Sequence, residues 1–209
     1  MKQTTAKARP LKIVVGFVIS IAAAATGAWA GYDNAKGLIR GGDSIFDTFK
    51  ETESGWLFSD DIGSSNASLL ERARIAVGGP LGLSSSEVLY FIALNDSEGR
   101  RLTSSCSYVV TGVPIDTRWW SLTLYDSSTQ NYVENTQNRS SWNSAVLPKR
   151  KDGSWQIIVS AQSSEGNWLP SQKIADQPFE LNLRTYNPSD KTRQAAPDIA
   201  LPIVERTGC

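Results

Sequence analysis

Polar and apolar residues alternate with a period of two through much of the second half of this chain. Between Ser104 and Gly112, Cys106, Tyr108 and Val110 fall on one face of an extended segment, and Ser105, Ser107 and Val109 on the other. After the break at Gly112-Val-Pro-Ile-Asp116, Trp120, Leu122 and Leu124 share one face while Trp119, Ser121, Thr123 and Tyr125 share the opposite one. Such alternation predicts half-buried antiparallel strands, here two neighbours at the centre of the fold. Residues 88–94 are apolar on both faces and read as a central strand. Lys151-Asp152-Gly153 reads as a hairpin turn leading into a strand with Trp155, Ile157, Val159 and Ala161 facing inward. Residues 163–178 read as a long loop. Phe179, Leu181 and Leu183 then alternate with Glu180, Asn182 and Arg184 on the last clear strand. The tail from Pro197 to Cys209 reads as extended, because Pro197 and Pro202 disfavour a helix.

One segment of the body carries helical periodicity. Ser65–Val77 predicts a helix capped by Ser65, with Leu69, Leu70, Ala73, Ala76 and Val77 on its apolar face and Gly78-Gly79-Pro80 as its stop. The fold class that follows is mainly β: an antiparallel, jelly-roll-like β-sandwich with one flanking helix.

The beginning of the chain has a different texture. Lys2, Lys7, Arg9 and Lys12 precede Ile13–Ala30, 18 residues without a charge. That length falls within the range of about 17–25 residues for a membrane-spanning helix, and the basic flank predicts a cytoplasmic N-terminus with the body outside. The predicted organisation is a basic tail (1–12), a transmembrane anchor (13–30), a linker (31–53) and a β-sandwich domain (54–209). The expected location is a bacterial inner membrane, crossed once, with the body in the periplasm. A competing reading is a signal peptide cleaved near Ala30, since Ala28-Trp29-Ala30 fits the small-residue cleavage pattern and would release the body into the periplasm.

Composition narrows the chemistry. The 21 basic and 21 acidic residues balance, but four of the basic ones lie in the first 12 positions, leaving 17 basic against 21 acidic from position 13 on. A mildly acidic body argues against nucleic-acid binding. There is no histidine, which removes Ser-His-Asp and Cys-His machinery and histidine zinc sites. We expect neither a metal nor another cofactor. The two cysteines, Cys106 and Cys209, are expected to form a disulfide in an oxidising compartment. The alternatives are a buried Cys106 thiol beside an idle Cys209, or pairing of Cys209 between molecules.

Several stretches resemble a bacterial family known as domain of unknown function 1214. They are Arg72–Gly79, Glu87–Tyr90, Gly112–Pro114, Arg118–Tyr125, Asn135 with Asn138-Arg139, Asp152–Ser154, Asn167–Pro170 and Leu183–Pro188. The resemblance implies a membrane-anchored envelope protein with a β-sandwich body. It further implies an envelope partner carrying a second domain of unknown function, numbered 1254, and it brings no catalytic residues.

The candidate ligand or partner surface comprises Trp119, Tyr125, Asn135, Arg139, Trp168 and Arg184. Trp119 and Tyr125 would stack on a sugar ring or a partner unless a second layer covers them. Asn135, Asn138 and Arg139 would bond a glycan or a carboxylate unless they satisfy their own loop. Trp168 reads equally as a loop anchor, and Arg184 as a partner of Glu180 or Asp176. For an enzyme, Asp60-Asp61 and Asp116 with Asp126 are the carboxylates able to divide acid and base roles. The preferred reading is a non-catalytic binding or assembly module for a partner protein or envelope polymer. The alternative is a carboxylate-dependent hydrolase or lyase acting on an envelope glycan or ester.

Overall fold

The computed structural model describes residues 8–40, 49–78, 82–171 and 176–209. The chain divides into two compact units, Met1–Ile45 and Phe46–Cys209. In the first, helix α1 spans Ala8–Arg40. Its segment Ile13–Gly37 has 25 residues and a mean hydropathy of 2.0, long and apolar enough to cross a membrane. The helix continues well past Ala30, where the anchor was expected to give way to a linker. No proline interrupts residues 31–40, and the Asn34 side chain donates back to the Ala30 carbonyl at 2.8 Å. Lys2 and Lys7 of the basic tail, and residues 41–48 of the expected linker, lie outside the described residues.

The second unit holds, in chain order, β1 (Lys50–Glu51), β2 (Leu57–Phe58), α2 (Leu69–Gly78), β3 (Val88–Ala93), β4 (Ser107–Gly112), β5 (Thr117–Asp126), β6 (Ser141–Asn143), β7 (Trp155–Ser160), β8 (Trp168–Pro170), β9 (Phe179–Pro188), α3 (Asp190–Ala195) and β10 (Ile203–Gly208). One sheet has the order β1-β2-β3-β9-β5-β6 and the other β10-β4-β7-β8. All described pairings are antiparallel except β7 with β8. The core lies between the sheets. Phe91 of β3, Trp120, Leu122 and Leu124 of β5, and Leu181 and Leu183 of β9 meet Tyr108 and Val110 of β4 and Trp155, Ile157 and Val159 of β7. Trp120 stacks on Trp155 at 4.6 Å, and Tyr108 meets Phe179 edge-on at 5.6 Å. Burying each such side chain stabilises the fold by about 1.5–3 kcal/mol. The expected sandwich is therefore present.

Its wiring differs from the expectation in one central respect. Strands β4 and β5 are not sheet neighbours: residues 113–116 carry the chain from one sheet to the other. Both strands present one apolar face, and both faces are satisfied when they meet across the core. Gly112 makes room for this, since a Cβ there would lie 2.1 Å from the Trp155 ring.

Smaller departures have local causes. Asp152 and Gly153 do turn the chain, with the Arg150 N–H donating to the Ser154 carbonyl at 2.8 Å. The turn joins no paired strands, because β7 bonds to β4 and β8. The expected 163–178 loop contains strand β8, fixed when Trp168 Nε1 donates to the Ser160 carbonyl and Asn167 Nδ2 to the Gln156 carbonyl. Its residues 172–175 lie outside the described residues. Helix α2 begins at Leu69, after a cap by Ser68 rather than Ser65. Ser68 Oγ accepts the Glu71 N–H, and the Glu71 carboxylate accepts the Ser68 N–H, a reciprocal capping box. Leu69 is 84% exposed and Leu70 and Ala76 are also exposed, whereas Ile75 packs on Ile62, Val88 and Tyr90. The side chain of Val77 and the stop residues Gly79 and Pro80 are outside the described residues. The short α3 was not anticipated; Ser189 caps it by accepting the Thr192 N–H.

The C-terminal tail is extended and forms β10 on β4. Cys106 and Cys209 are joined in a disulfide. Beside it, buried Asp96 accepts from Arg100 Nε at 3.0 Å and Arg206 Nε at 2.8 Å, and Arg206 lies over the Tyr108 ring.

Candidate functional site

Because strand side chains alternate, the same strands that fill the core send a second row to the other side of the six-stranded sheet. On β5 this row is Trp119, Ser121, Thr123 and Tyr125. The register sets opposite them Tyr186, Arg184, Asn182 and Glu180 of β9, and β3 continues the face with Val88, Tyr90 and Ile92. Both β5 and β9 are interior strands, flanked by neighbours on each side.

Aromatic rings and one guanidinium dominate this face. Trp119 packs against Tyr186 at 4.9 Å, and Tyr125 stacks on Tyr132 at 5.1 Å. The Arg184 guanidinium lies 5.4 Å from the Tyr125 ring centre and 6.0 Å from that of Tyr90. Its Nη2 donates to the Tyr125 hydroxyl at 2.8 Å. Burial pushes the Tyr125 phenol up to about 12, so it remains neutral. Arg184 forms no ion pair with a carboxylate among the described residues. Its Nε is buried and has no hydrogen-bond partner.

Neither of the acids expected to pair with Arg184 does so. Asp176 accepts from Ser105 at 3.3 Å. Glu180 shares the face, but four residues along a strand is a separation of roughly 13 Å. It is fully buried, with Asn182 Nδ2 donating at 3.0 Å and Gln130 Nε2 at 3.3 Å. Burial pushes its carboxyl up to about 7, against the opposing pull of those donors and Arg101.

The remaining sequence candidates form a second, separate group. Asn135 accepts the Gln137 and Arg139 N–H groups and donates to the Val133 and Arg139 carbonyls, which uses the amide on its own loop. Arg139 lies over the Trp142 ring at 4.7 Å, and both donate to the Trp168 carbonyl. This group staples β6 of one sheet to β8 of the other. Asn138 lies in the same loop, with a left-handed φ of 49°.

The carboxylates considered for catalysis do not converge. Asp116 and Asp126 bracket β5 at opposite ends, roughly 33 Å apart at strand rise. Burial alone would raise the Asp126 carboxyl, but hydrogen bonds from Ser128 and Thr129 hold it below the usual carboxylate range. Asp116 lines an open cleft of about 280 Å³ with Lys191 of α3. Asp60 is exposed, 3.7 Å from Lys50. Among the described residues, no three His, Cys, Asp or Glu side chains gather to hold a metal ion.

Sequence reasoning thus found Trp119, Tyr125 and Arg184, named Glu180 only as a partner of Arg184, and missed Tyr90, Tyr132, Tyr186 and Gln130 around them. The alternation Glu180-Asn182-Arg184-Tyr186 was the available signal. What joined it to Trp119 and Tyr125 was strand register, which alternation does not contain.

Comparison with known proteins bears on family and fold. Residues 87–190 match the family described as "Protein of unknown function (DUF1214)", which supports the resemblance read from the motifs. The VPA0106 protein of Vibrio parahaemolyticus has a similar crystal structure, with a TM-score of 0.54 at 22% identity, over 98% of this chain and 47% of that one. This likeness shows the fold, and the chain spans about half the length of that protein. A putative uncharacterized protein from Burkholderia cenocepacia matches with a TM-score of 0.43 at 18% identity, over 85% of this chain and 41% of that one. No curated protein matches this chain.

Proposed function

We propose that this protein is a non-catalytic binding module of the bacterial cell envelope, held to the inner membrane by α1 with its body in the periplasm. It would engage its partner through the outer face of the six-stranded sheet. The observation that carries this reading is the half-buried cluster of Trp119, Tyr125 and Tyr186 around a guanidinium that no described carboxylate neutralises. Aromatic rings and an unpaired arginine are the groups that dominate binding surfaces.

Two further features support the placement. The 25 residues of Ile13–Gly37 extend roughly 37 Å at helical rise, enough for a hydrocarbon layer of about 30 Å. Ala30 lies inside this continuous helix, as an uncleaved anchor requires. The Cys106–Cys209 bond suits an oxidising compartment. The partner is an envelope polymer or a protein of the kind the family resemblance implies, carrying domain of unknown function 1254.

The test is photocrosslinking in cells that produce the full chain. A benzophenone side chain replaces Trp119 in one variant and Glu205, exposed on the opposite sheet, in another. We expect discrete envelope adducts from position 119 and none above background from position 205. Equal yields from the two positions, or adducts only to cytosolic proteins, would refute the proposal.

A further inference from the structure

Resting on that reading of the sheet face, we infer that Arg184 anchors a site for a carboxylate carried on a saccharide ring, as in a uronate residue of an acidic glycan. A guanidinium presents five N–H donors in a planar fork that matches a carboxylate edge. Here Nη2 is committed to the Tyr125 hydroxyl, while Nε is buried without an acceptor. An incoming carboxylate oxygen would satisfy a donor that the chain itself leaves bare, and a charge-assisted hydrogen bond of this kind is among the strong ones.

The surroundings select the rest of the ligand. Arg101, another half-buried cation, donates to Ser127 and lies beside Glu180, four residues along β9 from Arg184. One unpaired positive charge suits a monoanion, whereas a phosphate monoester would bring a second negative charge without a counter-charge. Two residues along β9 from Arg184, Tyr186 packs with Trp119, and both are half-buried. That step is roughly 7 Å, the scale of a single sugar ring, and an aromatic face is what the apolar face of a sugar requires. A peptide fits less well. Strands β5 and β9 have neighbours on both sides, so the face offers side chains and no free backbone edge for strand addition.

The test titrates the full chain in detergent micelles with trigalacturonate, maltotriose, acetate and a short acidic peptide, read by calorimetry and tryptophan fluorescence. Trigalacturonate is expected to bind, with maltotriose and acetate at least about tenfold weaker, and Arg184→Gln is expected to weaken it by about 30-fold. Arg184→Lys keeps the charge but loses the fork and should weaken binding by about tenfold. Near-ultraviolet dichroism and an oxidised Cys106–Cys209 pair verify that each variant is folded, and Arg184→Lys decides if Arg184→Gln is not. Equal binding of maltotriose and trigalacturonate, unchanged by either variant, overturns the carboxylate site while leaving a sugar-binding face. Peptide binding without saccharide binding overturns it in favour of a protein partner. Absence of binding by all four probes, with position-119 crosslinks intact, overturns it and leaves the module standing; loss of the crosslinks as well removes both.

Discussion

Glu180 makes a quantitative prediction about stability. Its carboxyl is fully buried, and burial lifts it from an ordinary 4.5 to about 7. Below pH 4.5 the folded and unfolded chains both hold the proton, so the group adds no pH dependence. Between 4.5 and about 7 the unfolded chain has released a proton that the folded chain retains, so stability falls as pH rises. Above about 7 the full penalty is present and constant. At about 1.4 kcal/mol for each pH unit of that interval, the loss is about 3 kcal/mol. Asp96 and Asp126 act with the opposite sign and in a different window. Hydrogen bonds hold both below 3.8 despite burial, so the stability they add is lost only in stronger acid.

Glu180→Gln removes the charge at nearly constant volume. Gln130 and Asn182 each donate to one oxygen of the native carboxylate, and a glutamine offers one acceptor oxygen. One of these bonds must be lost or an amide reversed, at a cost of about 1 kcal/mol. The variant should therefore be about 2 kcal/mol more stable than the parent at pH 8 and about 1 kcal/mol less stable at pH 4.5. Urea unfolding of the full chain in detergent, followed by tryptophan fluorescence from pH 4.5 to 8.5, measures both. A parent curve that is flat or rises between pH 5 and 7, or a variant that retains the parent's slope, would refute the argument.

Three further outcomes follow from the fold. Cys209→Ser opens a loop of 103 residues and should cost up to about 4.7 kcal/mol on the chain-entropy account; urea midpoints that coincide with and without the bond would contradict this. Asp96→Ala leaves Arg206, whose side chain is only 16% exposed, without its carboxylate and should cost about 3–5 kcal/mol by the same measurement. Gly112→Ala drives a Cβ into the Trp155 indole and should lower stability by at least about 1–3 kcal/mol; an unchanged melting temperature would show that the two sheets can part there without cost.

Period-two alternation was a reliable guide to which way side chains point and a poor guide to which strands pair. Tyr108, Val110, Trp120, Leu122 and Leu124 all lie in the core, as their spacing requires. Yet the same spacing is satisfied whether β4 and β5 share a sheet or face one another, so their separation was not legible. Three-residue β8 is too short to show a period, and its parallel pairing depends on side-chain bonds from Asn167 and Trp168 to distant carbonyls. In the helix, periodicity counted from a cap at Ser65 placed Leu69 and Leu70 on the apolar face, whereas the capping box starts the helix at Leu69 and Ile75 is the residue that packs. The candidate site followed the same rule. Trp119 and Tyr125 were placed on one face by alternation, while their meeting with Arg184 and Tyr186 depends on a register across 59 to 67 residues of chain.

The two faces of β9 also say something about why the outer one is built as it is. On the core side the strand uses Phe179, Leu181 and Leu183, all almost completely buried. On the other side it carries Glu180 and Asn182, which are also buried, and Arg184, which is half-buried. A buried carboxyl and a guanidinium with an unpaired donor are each less favourable there than an apolar side chain of similar volume. If covering the sheet were the only requirement, the chain could have repeated on the outer face the solution it uses on the inner one. Groups held against their own stability, on interior strands fixed by ladders on both sides, are the arrangement expected of a preorganised binding surface. The same reasoning treats Asn135, Arg139 and Trp168 differently: their polar groups are satisfied by backbone, they join the sheets, and their energetics need no ligand to complete them.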